Sequence, residues 1–260
     1  MRPLAAFLVL GLSGCLPPPR AWLQMSPEGP PPPGADDSAA STEETGLVPD
    51  DTGAPELQCY SLTFASNGHV EITSSTVADD RLFDEGSLTV EMWAQFTEQT
   101  ESGQWLLAGM DGNQSWNLGV EDGQLVLEAG GIYTLAIPLP AHGWRHIAGV
   151  IDGDGEQMSL YVDGAFSGSR QWYAPMVSDG DNPSIHLGGF AGTETAWPNL
   201  MDEVRLATDV MYSGPGSIDY ADERPVSDWL AVFRFDESLE NAVSGALAQG
   251  ENIRYVDTCP

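Results

Sequence analysis

From Leu88 to Phe96 the chain alternates: positions 88, 90, 92, 94 and 96 are apolar, most residues between them are polar, and Trp93 falls on the polar side. Strand side chains point alternately to two faces, so the run predicts a β-strand with one buried face. Leu125–Leu127, Trp144–Val150 and Met158–Val162 have the same character. Turn chemistry separates the runs at Asp111-Gly112-Asn113, Glu121-Asp122-Gly123, Asp152-Gly153-Asp154-Gly155 and Asp163-Gly164. No segment carries a sustained helical stripe, and only Tyr220 to Leu230 has room for a turn or two of helix. Short strands at this spacing predict an all-β, two-sheet antiparallel sandwich over residues 58–260.

The N-terminal part breaks this pattern. Residues 1–14 carry one early charge, Arg2, and then the apolar run Leu4–Leu10, too short to span ~30 Å of hydrocarbon, for which a helix needs about 20 residues. A charged start followed by a short apolar run predicts a signal peptide. Its end, Leu12-Ser13-Gly14-Cys15, resembles the bacterial lipobox. That resemblance implies cleavage before Cys15 and a lipid anchor on its thiol. It implies a cell-envelope lipoprotein, at the outer membrane and facing the periplasm or the surface, because Leu16 rather than Asp follows the cysteine. Residues 15–57 hold ten of the 19 prolines and eight acidic residues, with no periodicity. They predict a disordered, Pro-rich acidic tether, reaching ~35 Å as a coil and ~130 Å when extended.

The order of the runs in 58–260 is recognisable. Trp144-Arg145-His146-Ile147-Ala148, then Asp152-Gly153-Asp154-Gly155, then Leu160-Tyr161-Val162-Asp163-Gly164, resembles the laminin-G-like (LamG), concanavalin A-type bacterial domains. The likeness extends to Leu88–Phe96, Ile185–Gly189 and Met201–Leu206. It implies a jelly-roll sandwich but no single activity, because the fold hosts lectins, adhesion modules and enzymes. Val232-Phe233-Arg234-Phe235-Asp236-Glu237 resembles the opening strand of many such domains yet sits near the end. Such a permuted order requires the first and last strands to be neighbours. Cys59 and Cys259 stand at the two edges of the domain, and in an oxidising envelope they are expected to pair.

Charge narrows the partners. There are 39 Asp+Glu against 9 Lys+Arg, a formal net charge of −30, and every basic residue is Arg. So acidic a chain repels nucleic-acid backbones and anionic lipid head groups. Without Lys there is no Schiff base, no P-loop Lys and no Ser–Lys dyad. The glucanase relatives of the fold work with carboxylates alternating along one strand, but no Glu-x-Asp triplet occurs, Glu91 stands alone in its strand, and Gly-x-Ser-x-Gly is missing. These absences point away from an enzyme.

The remaining candidates are ligand sites. His69, His142, His146 and His186 are scattered, and His146 reads as a satisfied core residue rather than a zinc ligand. Asp152-Gly-Asp154-Gly-Glu156 starts like a calcium loop, but Gln157 replaces the required Gly and its place between strands reads as a hairpin turn. Asp202 shares a strand face with Val204 and Leu206, so it is expected to point inward, where a carboxylate needs a partner. Relatives hold a structural calcium with such an Asp. Ala65 in Phe64-Ala65-Ser66-Asn67-Gly68 stands where the second acid belongs, leaving backbone N–H groups or Arg205 as alternatives. For glycan binding the candidates are Trp93, Trp116, Trp172, Tyr173 and Trp197, whose rings could face sugar C–H groups. The sequence thus suggests a non-catalytic recognition domain for a neutral glycan or an envelope protein; the alternative is a structural or assembly component without a small ligand.

Overall fold

The structure is a computed structural model describing residues 59–73, 86–111, 114–173, 183–189, 196–215, 225–258 and 260. The segments expected to form a signal peptide and a tether, with Cys15 and Cys259, lie outside the described residues. The strands are β1 (Tyr60–Thr73), β2 (Leu88–Phe96), β3 (Gln104–Asp111), β4 (Gln114–Glu121), β5 (Gln124–Ala129) and β6 (Tyr133–Pro138). They continue as β7 (Gly143–Asp152), β8 (Gln157–Val162), β9 (Ala165–Gln171), β10 (Ser184–Leu187), β11 (Leu200–Ala207), β12 (Ala231–Phe233) and β13 (Gln249–Asp257). A 3-10 turn at Val226–Asp228 is the one helical element among the described residues.

All pairings are antiparallel, and two sheets share β1. Its first residues pair with β11, opening sheet I, β1-β11-β2-β7-β8-β9; its last pair with β10, opening sheet II, β1-β10-β3-β4-β5-β6. The bend that carries β1 from one sheet to the other lies between Phe64 and His69. There Asn67 takes φ of 61°, and a Cβ on Gly68 would approach Asn252 O within 2.7 Å. β13 follows β1 through this bend, pairing Tyr60 with Asp257 and Glu71 with Gln249, so the first and last strands are neighbours. At the far end the sheets meet again, where Arg170 Nη1 of β9 donates to Thr134 O of β6 (2.5 Å).

The period of two sorts residues between inside and outside. Leu88, Val90, Met92, Ala94 and Phe96 of β2 pack against Leu118, Val120, Leu125, Leu127, Ile185 and Leu187 of sheet II in one core. Their alternates face outward, and on sheet I some of these are covered too. Ala148, Val150 and Tyr161 are packed under Tyr212, and Ala207 and Val232 under Trp229. The strand at 88–96, the hairpin at 152–157 and the short helical turn within 220–230 are where the pattern placed them. In that hairpin Asp152 Oδ1 accepts from Gly155 N–H (2.7 Å), so the carboxylate closes a turn.

Candidate functional site

The outer face of sheet I holds a buried ionic cluster. Glu91 of β2 accepts from Arg205 Nη1 of β11 (3.0 Å) and from the Tyr212 hydroxyl, and lies 3.5 Å from His146 Nε2 of β7. Arg205 Nη2 also donates to Glu203 (2.5 Å), and its guanidinium lies 5.7 Å from the Trp229 ring centre. Burial pushes the Glu91 carboxyl up, but the hydrogen bonds and charges of His146, Tyr212 and Arg205 outweigh it and hold the group below its ordinary range. Both carboxylate oxygens are thus engaged by fixed neighbours, Oε1 by Arg205 and Oε2 by Tyr212 and His146. Glu91 is the one acidic residue of β2, as the sequence reads, and its partners come from β7, β11 and the 210s segment.

Asp202 needs a correction. The register pairs Met201 with Ala94 and Asp202 with Trp93, then Arg205 with Glu91, so β11 carries an extra residue at Glu203, where φ is 50°. A bulge re-aims the side chains beyond it. Asp202 therefore shares the outer face with Trp93 and Arg205 rather than the inner face with Val204 and Leu206. It is nonetheless buried (3% exposed), and its Oδ1 accepts from Glu203 N–H at 2.7 Å. Burial, opposed by that hydrogen bond and reinforced by the charges of Glu203 and Asp236, pushes its carboxyl up to about 8. Arg205 is committed to Glu91 and Glu203. Among the described residues no three acidic, His or Cys side chains converge as a metal cage.

The aromatic candidates disperse. Trp116 and Trp197 are fully buried and Trp172 is 2% exposed, so none presents a ring face to solvent. Trp197 stands edge-on against Phe96, with centroids 5.4 Å apart, and Trp116 fills the space above Gly109. Each ring closes the core, which is the physical reason the expectation fails. Trp93 is half-buried and edge-on to His146, and Tyr173 is 57% exposed, its hydroxyl donating to Gln171 (2.6 Å). The five do not form one platform.

The outer face of sheet II is different. Cross-strand register lines up Glu71 (β1), His186 (β10), Ala108 (β3), Asn117 (β4), Glu128 (β5) and Thr134 (β6) in one row. All but Ala108 are half-buried and polar. Glu128 is held by Asn117 Nδ2 (3.4 Å) and the Thr134 hydroxyl (3.1 Å), whereas the buried Asn117 Oδ1 accepts no hydrogen bond from the described residues. Ser184 Oγ lies 3.0 Å from His186 Nε2. Burial, opposed by Glu71 and helped by His69, keeps the His186 imidazole below its ordinary range. Beside the row, half-buried Trp105 lies against Gly119. Amide, carboxylate, imidazole and hydroxyl groups therefore share one face with an aromatic ring. The row spans four strand spacings from Glu71 to Glu128, roughly 19 Å at ~4.8 Å each. A glycosidase pair needs about 5–9.5 Å, so these two carboxylates cannot act together on one bond.

Sequence reasoning missed Trp105, Asn117, Glu128 and His186 as a set. Their alternation with buried neighbours was readable, but their adjacency comes from strand order.

The family model for the concanavalin A-like lectin/glucanases superfamily matches residues 64–213. No curated protein matches the sequence. Among solved structures, a candidate carbohydrate-binding protein from Bacteroides ovatus is similar, at 17% identity and a TM-score of 0.56, over 77% of this chain. The chain spans 60% of that protein's length. The sialidase CBM40 of Ruminococcus gnavus (20% identity, TM-score 0.48) covers 60% of this chain and 94% of its own. Domains LG4-5 of the mouse laminin alpha1 chain (18%, 0.44) cover 57% of this chain and 42% of theirs.

Proposed function

The chain belongs to the concanavalin A-like lectin/glucanases superfamily, and from that premise we propose that it is a non-catalytic glycan-recognition domain. The outer face of sheet II is its binding face. The observation that carries this is the row Glu71–His186–Asn117–Glu128–Thr134 beside Trp105, with an amide oxygen left unpaired among the described residues. Sugar hydroxyls supply donors for Asn117 Oδ1 and Glu128, and the indole meets sugar C–H groups. Pre-positioned polar groups beside an aromatic ring are what a small-ligand site requires. The wide spacing of Glu71 and Glu128, and the commitment of Glu91 to Arg205, Tyr212 and His146, support binding without turnover. Neutral glycans suit a face with two carboxylates in a chain of this charge.

The domain is carried on the cell envelope as a lipoprotein, tethered through Cys15 and the Pro-rich segment; the support is the lipobox-like sequence. A Cys59–Cys259 disulfide fits the register, since Tyr60 pairs with Asp257 and Ser61 Oγ donates to Thr258 O (2.6 Å). The burial of Trp116, Trp172 and Trp197 favours a second reading, an envelope assembly component without a small ligand. A glycan array probed with the full chain separates the two. Retention of neutral glycans, lost in N117A/E128A, supports the first. An array on which nothing is retained, or on which the double variant binds unchanged, overturns it.

A further inference from the structure

The opposite face of the sandwich carries a second built cleft, of about 520 Å³, lined by Thr63, Gln95, Thr97, Glu98, Gln99, Pro198, Asn199 and Leu200. Register places its strand residues on the outside of sheet I: Thr63 pairs with Leu200, and Gln95 with Trp144. Their sequence neighbours Leu62, Ala94, Phe96 and Met201 are all in the core.

The wall of the cleft is locked before any ligand arrives. Thr97 N–H donates to Thr100 Oγ1 (3.0 Å), Thr100 N–H returns to Thr97 O (3.1 Å), and Gln99 N–H donates to Thr97 Oγ1 (3.1 Å). Asn199, only 5% exposed, clamps this loop by accepting from Thr97 Oγ1 (2.7 Å) and donating to Thr100 Oγ1 (3.0 Å). The side chains of Thr63, Gln95, Glu98 and Gln99, by contrast, make no hydrogen bond among the described residues. A rigid loop presenting unengaged amides and hydroxyls loses little entropy on binding. Half-buried Trp144 and Trp93 lie on the same face, Trp144 directly across from Gln95 and Trp93 two residues before it.

We propose that this cleft is a second glycan site, taking the hydroxyls of a neutral sugar, and that the domain is bivalent. The proposal rests on the glycan reading of sheet II and extends it. The two sites open on outward faces of sheets packed ~10 Å apart, so they point away from each other. One chain can then bridge two glycan surfaces, and where both sites reach the same polymer the second contact gains effective concentration.

The test uses the full chain with maltotriose, cellotriose, mannotriose and galactotriose in titration calorimetry, and beads coated with the same sugars. Two ligands per chain are expected, falling to one in Q95A/Q99A and to one in N117A/E128A, with bead bridging lost in both. Both pairs lie outside the core, and melting curves check that the variants fold. A stoichiometry of one, unchanged in Q95A/Q99A and abolished by N117A/E128A, overturns the second site while leaving the first. Binding abolished by Q95A/Q99A alone moves the ligand to the cleft and overturns bivalency and the sheet II reading. No sugar bound by the wild-type chain overturns both.

Discussion

Replacing Asp202 with Asn makes a sharp test of the physical reasoning, because the two side chains have nearly the same shape and differ in one charge. The wild-type carboxyl is buried and sits at about 8, against an ordinary value near 4. Between those values the folded chain holds a proton that the unfolded chain has released, so stability falls as pH rises through this window. At about 1.4 kcal/mol per tenfold change, the ceiling on the loss is roughly 6 kcal/mol. Local relaxation around the ionised group reduces this, and ~1.5–3 kcal/mol is the expected loss once Asp202 ionises. For a domain of this size 1 kcal/mol moves Tm by about 2–4 °C. D202N should therefore melt close to wild type near pH 4 and roughly 3–12 °C above it near pH 9. Thermal melts followed by circular dichroism in EDTA, over that pH range, give the difference directly. The reasoning fails if D202N melts at or below wild type at high pH, or if the gap does not grow with pH. Either result would show that the ionised carboxylate has a counter-charge.

Other predictions follow from the same contacts. R205M leaves Glu91 buried without its cation and should cost about 3–5 kcal/mol in urea denaturation. Glu91 is held below its ordinary range, so its contribution is present above the unfolded-state value and lost as pH falls through the folded one; E91Q should flatten the acid limb of stability against pH. A Cβ on Gly109 would meet the Trp116 indole at 2.2 Å, so G109A should cost about 1–3 kcal/mol, read as a lowered denaturation midpoint. If Cys15 is the anchor, C15S should move the protein from the membrane to the soluble fraction on cell fractionation.

The strands were legible because burial imposes a period of two that composition cannot hide, as in Leu88–Phe96. Their order was not, except at the ends, where the displaced Val232–Glu237 resemblance pointed to adjacent termini. The site was harder still. Asn117 and Glu128 share the β4–β5 hairpin, but Glu71 and His186 come from strands far from it in sequence, and only lateral pairing makes them neighbours. Asp202 shows how one inserted residue defeats a correct local rule: alternation assigns it to the core side, and the bulge at Glu203 turns it outward. The tryptophans misled for an opposite reason, since residues flanking polar turns proved to be plugs for the core.

The sharing of β1 between the two sheets sets a condition on time. β1 pairs along nearly its whole length with β13, which follows every other described strand in the chain. Both sheets share this edge, so the most extensive strand pairing in the domain joins its first and last strands. Such long-range closure slows folding, because loop entropy is lost before the contacts form. The consequence is kinetic: a chain cut before β13 would leave β1 without its longest partner, and the sandwich closes only when both ends of the domain are present.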